Sequence, residues 1–452
     1  MLYARYMFAA LQKYYRYQST QLPVSLKTIA TRTIILGSLY AVINTAYAAE
    51  DTIRGSSATT MPHPELVPLG IRLHSFILFP GIIYSLNYND NVFATESNAE
   101  SAYVSELNPS MSVNSDWNNH ALNFSASALD STNHEFSSED YTDWDLEVDG
   151  TIDISRDSNL RLGVSTGLQH IARSAPDDER GTEPTAFDRT RFFTRYSHRT
   201  GRLVSVINLS AIRKEYHDVD AIRLGVPVTI DNSDRDRTEA QLKLRIGYRY
   251  VADEQFFVTL EGFDRDYDTT RNFSDRDQSS TGTEVTAGVS FDYHGIVLGE
   301  IALGRRTQDY EKPLRSIDEP IIKSSIRWNV TDLTTANFNL DYEVRESVDL
   351  FFSGYTSTTA SLGLDHELRR NLVLNTSLGI TQDDYVGIDP AERKDDTYYL
   401  VVGSTYRMNR NLFVNLEFTH LERKSDLKLG TAESSRFDFS QNLISFQLQA
   451  QF

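Results

Sequence analysis

Beyond residue 69, apolar and polar side chains alternate along segments of roughly ten to sixteen residues. Successive side chains of a β-strand point to opposite faces, so this alternation predicts strands with one apolar and one polar face. In residues 411–421, Val414 and Leu416 share one face, whereas Asn415 and Glu417 share the other. No helical periodicity is found in this part of the sequence, which therefore predicts an all-β fold.

The connections between these segments differ in length in a regular way. Eighteen strands can be traced, and tight turns such as Arg156–Asn159 and Met408–Arg410 follow the even-numbered strands. The connections after odd-numbered strands include long charged segments at 173–186, 217–235, 311–319, 385–395 and 425–435. Short turns on one side and longer loops on the other are typical of outer-membrane barrels. The sequence predicts a transmembrane, antiparallel, up-and-down β-barrel of about 18 strands, with 16–18 compatible.

The last segment carries a separate signal. Phe446, Leu448 and Phe452 lie on one face of an alternating strand, opposite Gln447 and Gln449. A final strand with a terminal aromatic residue resembles the signal that the barrel-assembly machinery recognises. We expect Phe446, Leu448 and Phe452 to form this assembly signal; an ordinary last strand is the alternative.

The first 48 residues have the pattern of a secretion signal. Lys27 and Arg32 precede an apolar run at 33–43, and Ala46-Tyr47-Ala48 is a small-x-small cleavage site. The run is shorter than the ~20 residues that cross a bilayer as a helix, which makes a membrane anchor the weaker interpretation. We expect export through the Sec pathway.

These patterns divide the chain into three regions. They are a signal peptide at 1–48, a polar periplasmic linker containing prolines at 49–69, and a barrel domain at 70–452. The barrel is expected to sit in the lipid of the Gram-negative outer membrane.

Composition excludes other classes of protein. The formal charge is −19, and nucleic-acid binding needs a basic footprint, so no nucleic-acid partner is expected. The chain contains no cysteine, which removes disulfides, thiolate zinc sites and a cysteine nucleophile. We expect no catalytic residue set, cofactor or metal. The stretch Asp231–Asp236 is acid-rich, but a solvated loop is favoured over a weak calcium site.

Residues 70–93, GIRLHSFILFPGIIYSLNYNDNVF, carry a more specific pattern. The Gly-Ile-Arg start is followed by an aromatic-Pro step at Phe79-Pro80 and by the strand end Tyr88–Phe93. This opening resembles that of the putative β-barrel porin type 2 family. The strand rhythm and the terminal Phe452 extend the likeness over nearly the whole mature chain.

The resemblance implies an outer-membrane porin that acts as a passive conduit, associated with export of exopolysaccharide or capsular polysaccharide. It also implies a periplasmic polysaccharide export protein as a partner, and it supplies no catalytic residues. A general diffusion porin for small solutes remains an alternative. A barrel enzyme, a surface-binding scaffold and a secreted soluble β-protein are weaker ones.

Strand parity predicts which charges point into the lumen. A basic wall is predicted from Arg161, Arg189, Arg191, Arg195, Lys243, Arg245, Arg249, Arg306, Lys323 and Arg327. An acidic wall is predicted from Asp145, Glu147, Asp149, Asp341, Glu343 and Glu417. A basic wall would attract anionic solutes, because guanidinium groups offer paired donors to carboxylates. The alternative is that these charges pair across neighbouring strands and select for nothing.

The long connection 217–235 contains an apolar patch from Ile222 to Ile230. It could fold into the lumen as a constriction or pack outside on neighbouring loops. The outside position is favoured, because loops lie on the surface by default.

Overall fold

The computed structural model describes residues 56–59, 61, 63–223, 225–270, 276–347, 351–387, 391–429, 432–434 and 437–452. The predicted signal peptide 1–48 lies outside the described residues, as do residues 49–55 of the predicted linker.

Within the described residues, the structure consists of strands and three short 3-10 helices. The helices are Pro64–Leu66, Ser137–Glu139 and Ser233–Arg235. The strands are β1 (Ile71–Leu73), β2 (Phe76–Asn89), β3 (Ala102–Ser115), β4 (Ala121–Asn133), β5 (Tyr141–Ser155), β6 (Ser158–His170), β7 (Ala186–Thr200), β8 (Leu203–Tyr216), β9 (Val219–Arg223), β10 (Val226–Ile230), β11 (Arg237–Val251), β12 (Glu254–Tyr267), β13 (Ser280–Tyr293), β14 (Val297–Tyr310), β15 (Ile317–Thr331), β16 (Thr334–Glu346), β17 (Phe352–Arg369), β18 (Leu372–Gly387), β19 (Ala391–Arg407), β20 (Leu412–Leu429), β21 (Ala432–Ser434) and β22 (Phe439–Gln451). No helix in the described part of the chain is long and apolar enough to cross a membrane.

Eighteen of these strands form a closed antiparallel barrel. Strands β2 to β8, β11 to β20 and β22 each pair with their neighbours in the chain, and β8 pairs with β11 across the intervening hairpin. The barrel closes between β2 and β22, from Gly81 opposite Gln451 to Asn89 opposite Leu443. Closure satisfies the backbone hydrogen bonds of both terminal strands, which hydrocarbon requires. The predicted fold class and strand count are confirmed.

The two faces of the wall follow the predicted alternation. On β6, Leu162 and Val164 are exposed on the outside, whereas Ser165 is buried on the lumen side. The same alternation continues around the barrel, and it gives the outer surface an apolar band. Each outward apolar residue therefore contacts lipid rather than a protein core.

Connection lengths orient the barrel. Tight turns, such as residues 156–157 between β5 and β6, mark the periplasmic end, and the long connections mark the extracellular end. Two predicted loops are shorter than expected. Strands β18 and β19 extend through most of 385–395, and β20 continues to Leu429 inside the predicted loop 425–435. Polar residues on these extensions sit above the lipid, so apolar alternation fades there although strand pairing continues.

The connection 217–235 forms the separate hairpin β9–β10 rather than an irregular loop. Ile222 and Val226 near its tip are exposed, whereas Val219 at its base is buried. The hairpin packs against the loop between β6 and β7, where the backbone amide of Thr182 donates to the carbonyl of Asp220 at 2.6 Å.

Candidate functional site: the charged lumen and its extracellular end

On each wall strand, the residues that alternate with the exposed apolar residues face the lumen. All ten residues of the predicted basic wall and all six of the predicted acidic wall have lumen-facing parity. The basic residues lie on β6, β7, β11, β14 and β15, and the acidic residues lie on β5, β16 and β20. Many of the basic residues, however, contact carboxylates.

The strongest of these pairs crosses part of the lumen. Arg245 on β11 donates to both carboxylate oxygens of Glu300 on β14, at 2.9 and 2.6 Å. Two wall strands separate these residues, so the pair lies along a chord inside the barrel. The Arg245 guanidinium also lies 3.5 Å from the ring centroid of Phe257, which holds it flat.

A second group joins three neighbouring strands. The buried carboxylate of Glu284 on β13 is 2.7 Å from Lys323 Nζ and 3.4 Å from Arg306 Nη1. The Arg306 guanidinium lies over the ring of Phe263 at 4.2 Å. Two cations share one carboxylate, so this group keeps a net positive charge.

A third group lies on β5 to β7. Arg161 Nε donates to Asp149 at 3.0 Å, and a longer contact of 3.9 Å reaches Glu147. Arg161 and Arg191 lie over the ring of Phe193, at 5.6 and 4.9 Å. The ring fits because its neighbour is Gly163, where an added Cβ would be 2.6 Å from the ring carbon Cζ.

Three of the carboxylates that neutralise the basic wall were missed by the sequence analysis. Glu261 pairs with Lys243 at 3.4 Å, and Glu284 and Glu300 act as described above. Glu261 lies directly opposite Lys243 in the β11–β12 register, and Glu284 lies opposite Arg306 in the β13–β14 register. An exact register would have revealed these two pairs. The contact between Arg245 and Glu300 needs the curvature of the closed sheet.

Strand β22 lines the lumen with neutral amides. Gln441, Gln447 and Gln449 are buried on its inner face, together with Ser445. Asn415 on the adjoining β20 donates to Gln447 Oε1 at 3.4 Å. This part of the wall therefore offers hydrogen-bond donors and acceptors without charge.

The residues of the predicted assembly signal lie on the opposite face of the same strand or directly after its end. Phe446, Leu448 and Phe452 are exposed on the lipid side. The backbone amide of Phe452 donates to the carbonyl of Pro80 on β2 at 3.1 Å, at the closing seam.

The connection 171–185, here called the crossing loop, lies across the extracellular end of the lumen. It begins at β6, yet the carbonyl of Ser174 accepts a 2.6 Å hydrogen bond from Arg423 on β20, and both residues are buried. On the shorter way round, β22 and β2 to β5 lie between these strands. The element that enters the lumen is therefore this loop, whereas 217–235, for which the outside position was favoured, forms the exposed hairpin β9–β10.

Buried charges hold the base of the crossing loop. Arg173 donates twice to Glu139, at 2.8 and 2.7 Å, and lies 3.5 Å from Asp178. Burial raises the pKa of Asp178 to about 6, although Arg173 and the backbone amide of Arg180 oppose the shift. The net rise means that the cost of desolvating this carboxylate exceeds the attraction of Arg173.

The hairpin β16–β17 also leans inward at its extracellular end. Pairing between β15 and β16 stops at Leu340, beyond which Tyr342 and Val344 join a buried apolar cluster with Tyr310 and Ile317. The carbonyl of Val344 accepts a 3.2 Å hydrogen bond from Arg265 on β12. The hairpin and the crossing loop together narrow the extracellular half of the lumen.

Neither a metal centre nor a nucleophile elbow is found in the described residues. No group of three or more His, Asp or Glu side chains there could hold a metal ion. Gly163-Val164-Ser165-Thr166-Gly167 matches the letters of a Gly-x-Ser-x-Gly elbow. It lies in the middle of β6 and not at a strand-to-helix turn, so Ser165 is a wall residue.

A closed barrel of eighteen strands, with an apolar outer band and a charged lumen, defines the class as an outer-membrane β-barrel of the porin type. The chain belongs to the putative beta-barrel porin 2 family, whose profile matches residues 63–452. The family resemblance seen in the sequence is confirmed, and the protein is assigned to the outer membrane as a porin and not as an enzyme.

A comparison with solved structures found outer-membrane proteins at low sequence identity. OpdK of Pseudomonas aeruginosa, solved with vanillate, is 11% identical, with 83% of this chain and 99% of that chain covered and a TM-score of 0.45. OccK2 (OpdF) of the same organism is 13% identical, with 83% and 98% covered and a TM-score of 0.45. The siderophore receptor PirA of P. aeruginosa is 8% identical, with 83% and 80% covered and a TM-score of 0.43. A comparison with curated protein sequences found no match.

Proposed function

We propose that this porin is a passive conduit for an exopolysaccharide or capsular polysaccharide on its way out of the cell. In this proposal the chain is exported by the Sec pathway, is inserted by the barrel-assembly machinery, and receives polymer from a periplasmic polysaccharide export protein. The observation that carries the proposal is the composition of the lumen wall, which combines arginines lying on aromatic rings with a column of amides.

Each part of this wall suits a different part of a sugar polymer. The amides of Gln441, Gln447 and Gln449 on the inner face of β22 can donate to and accept from sugar hydroxyls when a solute displaces the neighbours that bury them. The guanidinium of Arg191, which lies over the ring of Phe193, presents planar donors to carboxylates of acidic sugars. Because at least five of the ten cations of the basic wall form ion pairs with acids, the wall offers many weak contacts and no single tight site, as passage of a polymer requires.

General diffusion of small solutes is the second candidate. The specific observation in its favour is the contact between the crossing loop and Arg423, which narrows the extracellular end. A narrow path would admit small solutes more readily than a hydrated polymer.

Single-channel recording of the refolded chain, starting at Ala49, in a planar bilayer separates these candidates. Galacturonic acid oligomers and neutral maltooligosaccharides serve as probes. We expect both to interrupt the current, with longer interruptions for longer oligomers and for the acidic series. Currents that are indifferent to both probes would refute the polysaccharide conduit and favour general diffusion.

Matched variants test the role of the wall. Arg191→Ala combined with Arg245→Ala removes two lumen cations and should shorten interruptions by the acidic oligomers only. Arg305→Ala is the control, because this exposed arginine on the outer face of β14 pairs with Asp318 outside the lumen. Equal effects of the lumen and control variants would contradict a role for the basic wall.

A further inference from the structure

The chain that precedes the barrel turns into the lumen at Gly70. Gly70 has a positive φ of 69°, and an added Cβ would be 2.5 Å from Ile77 and 2.6 Å from Phe79. Ile77 and Phe79 are buried on the inner face of β2, near its periplasmic end. Only glycine combines this backbone conformation with so close an approach to the wall.

The same segment reaches a distant part of the wall. The backbone amide of Ala58 donates to Thr335 Oγ1 at 2.9 Å, and a 2.9 Å hydrogen bond joins His63 Nε2 to Glu367 Oε2. Thr335 lies at the start of β16 and Glu367 near the end of β17, so both are at the periplasmic end. Ala58, His63 and both wall residues are buried.

These two anchor points lie on well-separated strands. On the shorter way round, β18, β19, β20 and β22 lie between β17 and β2. An 18-stranded barrel with strands about 4.8 Å apart and tilted by about 40° has a backbone radius of roughly 18 Å, which places the anchors roughly 25–30 Å apart. The segment that contains Ala58 and His63 therefore links two well-separated parts of the periplasmic rim.

We propose that the segment with the described residues 56–59, 61 and 63–66 forms a periplasmic gate, which closes the lumen until the hydrogen bonds to Thr335 and Glu367 are broken. The segment adds no strand to the barrel, and its hydrogen bonds to Thr335 and Glu367 use wall side chains and not strand pairing, so it can leave while the wall stays intact. Gly70 is the hinge. The proposal rests on the proposed function only in taking the lumen as the transport route.

The gate can be locked with a disulfide, since the native chain contains no cysteine. The contact between the Ala58 amide and Thr335 Oγ1 places the two Cα atoms about 6 Å apart, within the range that a disulfide bridges. Ala58→Cys with Thr335→Cys therefore joins the segment to the wall. The background carries a short Gly-Ser linker in place of residues 174–182, so that the crossing loop does not limit the current.

Conductance is measured in potassium chloride alone, before and after reduction with dithiothreitol. We expect the oxidised pair to conduct at least tenfold less than the reduced pair, and deletion of residues 56–69 to give open channels that ignore the reductant. Thr166→Cys with Thr190→Cys is the matched control, because these residues are register partners on the outer face of β6 and β7. Its conductance should not change on reduction.

Two results would overturn the gate. One is equal conductance of the oxidised and reduced Ala58–Thr335 pair, with the disulfide verified by mass spectrometry. The other is silence of the deletion variant, since nothing in the proposal would then close it. Because no sugar is present, these outcomes are independent of whether a polysaccharide is the solute.

Discussion

Removing one lumen carboxylate should increase the selectivity of this porin for anions over cations. Glu284 lies on the inner face of β13 and neutralises part of the charge of Arg306 and Lys323. Glu284→Gln keeps the shape of the side chain and deletes its charge, so the group changes from a net charge of +1 to +2. The perturbation is therefore one added positive charge at a known height in the lumen.

The magnitude follows from the distance to the ion path. With a backbone radius of roughly 18 Å and a side chain that reaches about 5 Å inward, a permeating ion passes about 10 Å from the site. The added charge changes its energy by about 0.4 kcal/mol in water, reduced to about 0.3 at 0.01 M salt and about 0.15 at 0.1 M. Anions gain and cations lose this amount, so the anion-to-cation permeability ratio should rise about threefold at 0.01 M, by less than twofold at 0.1 M and hardly at all at 1 M.

The assay is the zero-current potential of open channels across a potassium chloride gradient, repeated at the three salt levels. Asp318→Asn is the control, because it removes a carboxylate from the exposed Arg305 pair on the outside of the barrel. A ratio that stays constant at 0.01 M, or that changes equally in the control, would refute the reasoning that these charges face the ion path. A change that persists at 1 M would show that the effect is not electrostatic.

Three further predictions concern stability, pH and assembly. Asp395→Ala should lower the free energy of unfolding in urea by about 3–5 kcal/mol, because it removes the carboxylate that the buried guanidinium of Arg393 contacts at 3.0 and 2.5 Å. Asp384→Ala removes one partner of an exposed pair with Lys394 and should lower it by less than about 1 kcal/mol. The pKa of Asp178 is raised to about 6, so above pH 6 its ionised carboxylate destabilises the folded crossing loop by about 3 kcal/mol. This cost disappears as the pH falls to about 4, which stabilises the loop across the lumen. Conductance should therefore fall on acidification in the unmodified channel but not in Asp178→Asn. Deletion of Phe452 should slow insertion by the assembly machinery, measured as the heat-modifiable gel band over time, and an unchanged rate would leave the residue as an ordinary strand end.

The lumen-facing parity of the charged residues could be predicted residue by residue. Arg191, Arg245 and Glu417 were placed on the inner face from alternation alone, because side-chain direction in a strand depends only on the local period of two. Their partners could not be predicted, because pairing depends on register and curvature. Lys243 contacts Glu261 because the two are register partners on neighbouring strands. Arg245 contacts Glu300 only because the sheet curves into a closed barrel.

Loop positions were the least predictable part of the site. For the apolar patch at 217–235, packing outside was favoured over a constriction in the lumen, and this segment forms its own hairpin with an exposed tip. The segment that enters the lumen is 171–185, a long charged connection. It is held by Arg173 and Arg423, whose partners lie far away in the sequence.

By itself, the sequence determined that this protein is a closed barrel of two-faced strands with a wet interior. Those properties follow from a local period of two and from the need to pair every backbone group in lipid. Only the tertiary structure decided which charges are neutralised and which segments occupy the two mouths of the lumen. Contacts such as Ser174 with Arg423 and His63 with Glu367 exist only once the first and last strands have met, because closure is what brings opposite walls within reach of one side chain or one loop.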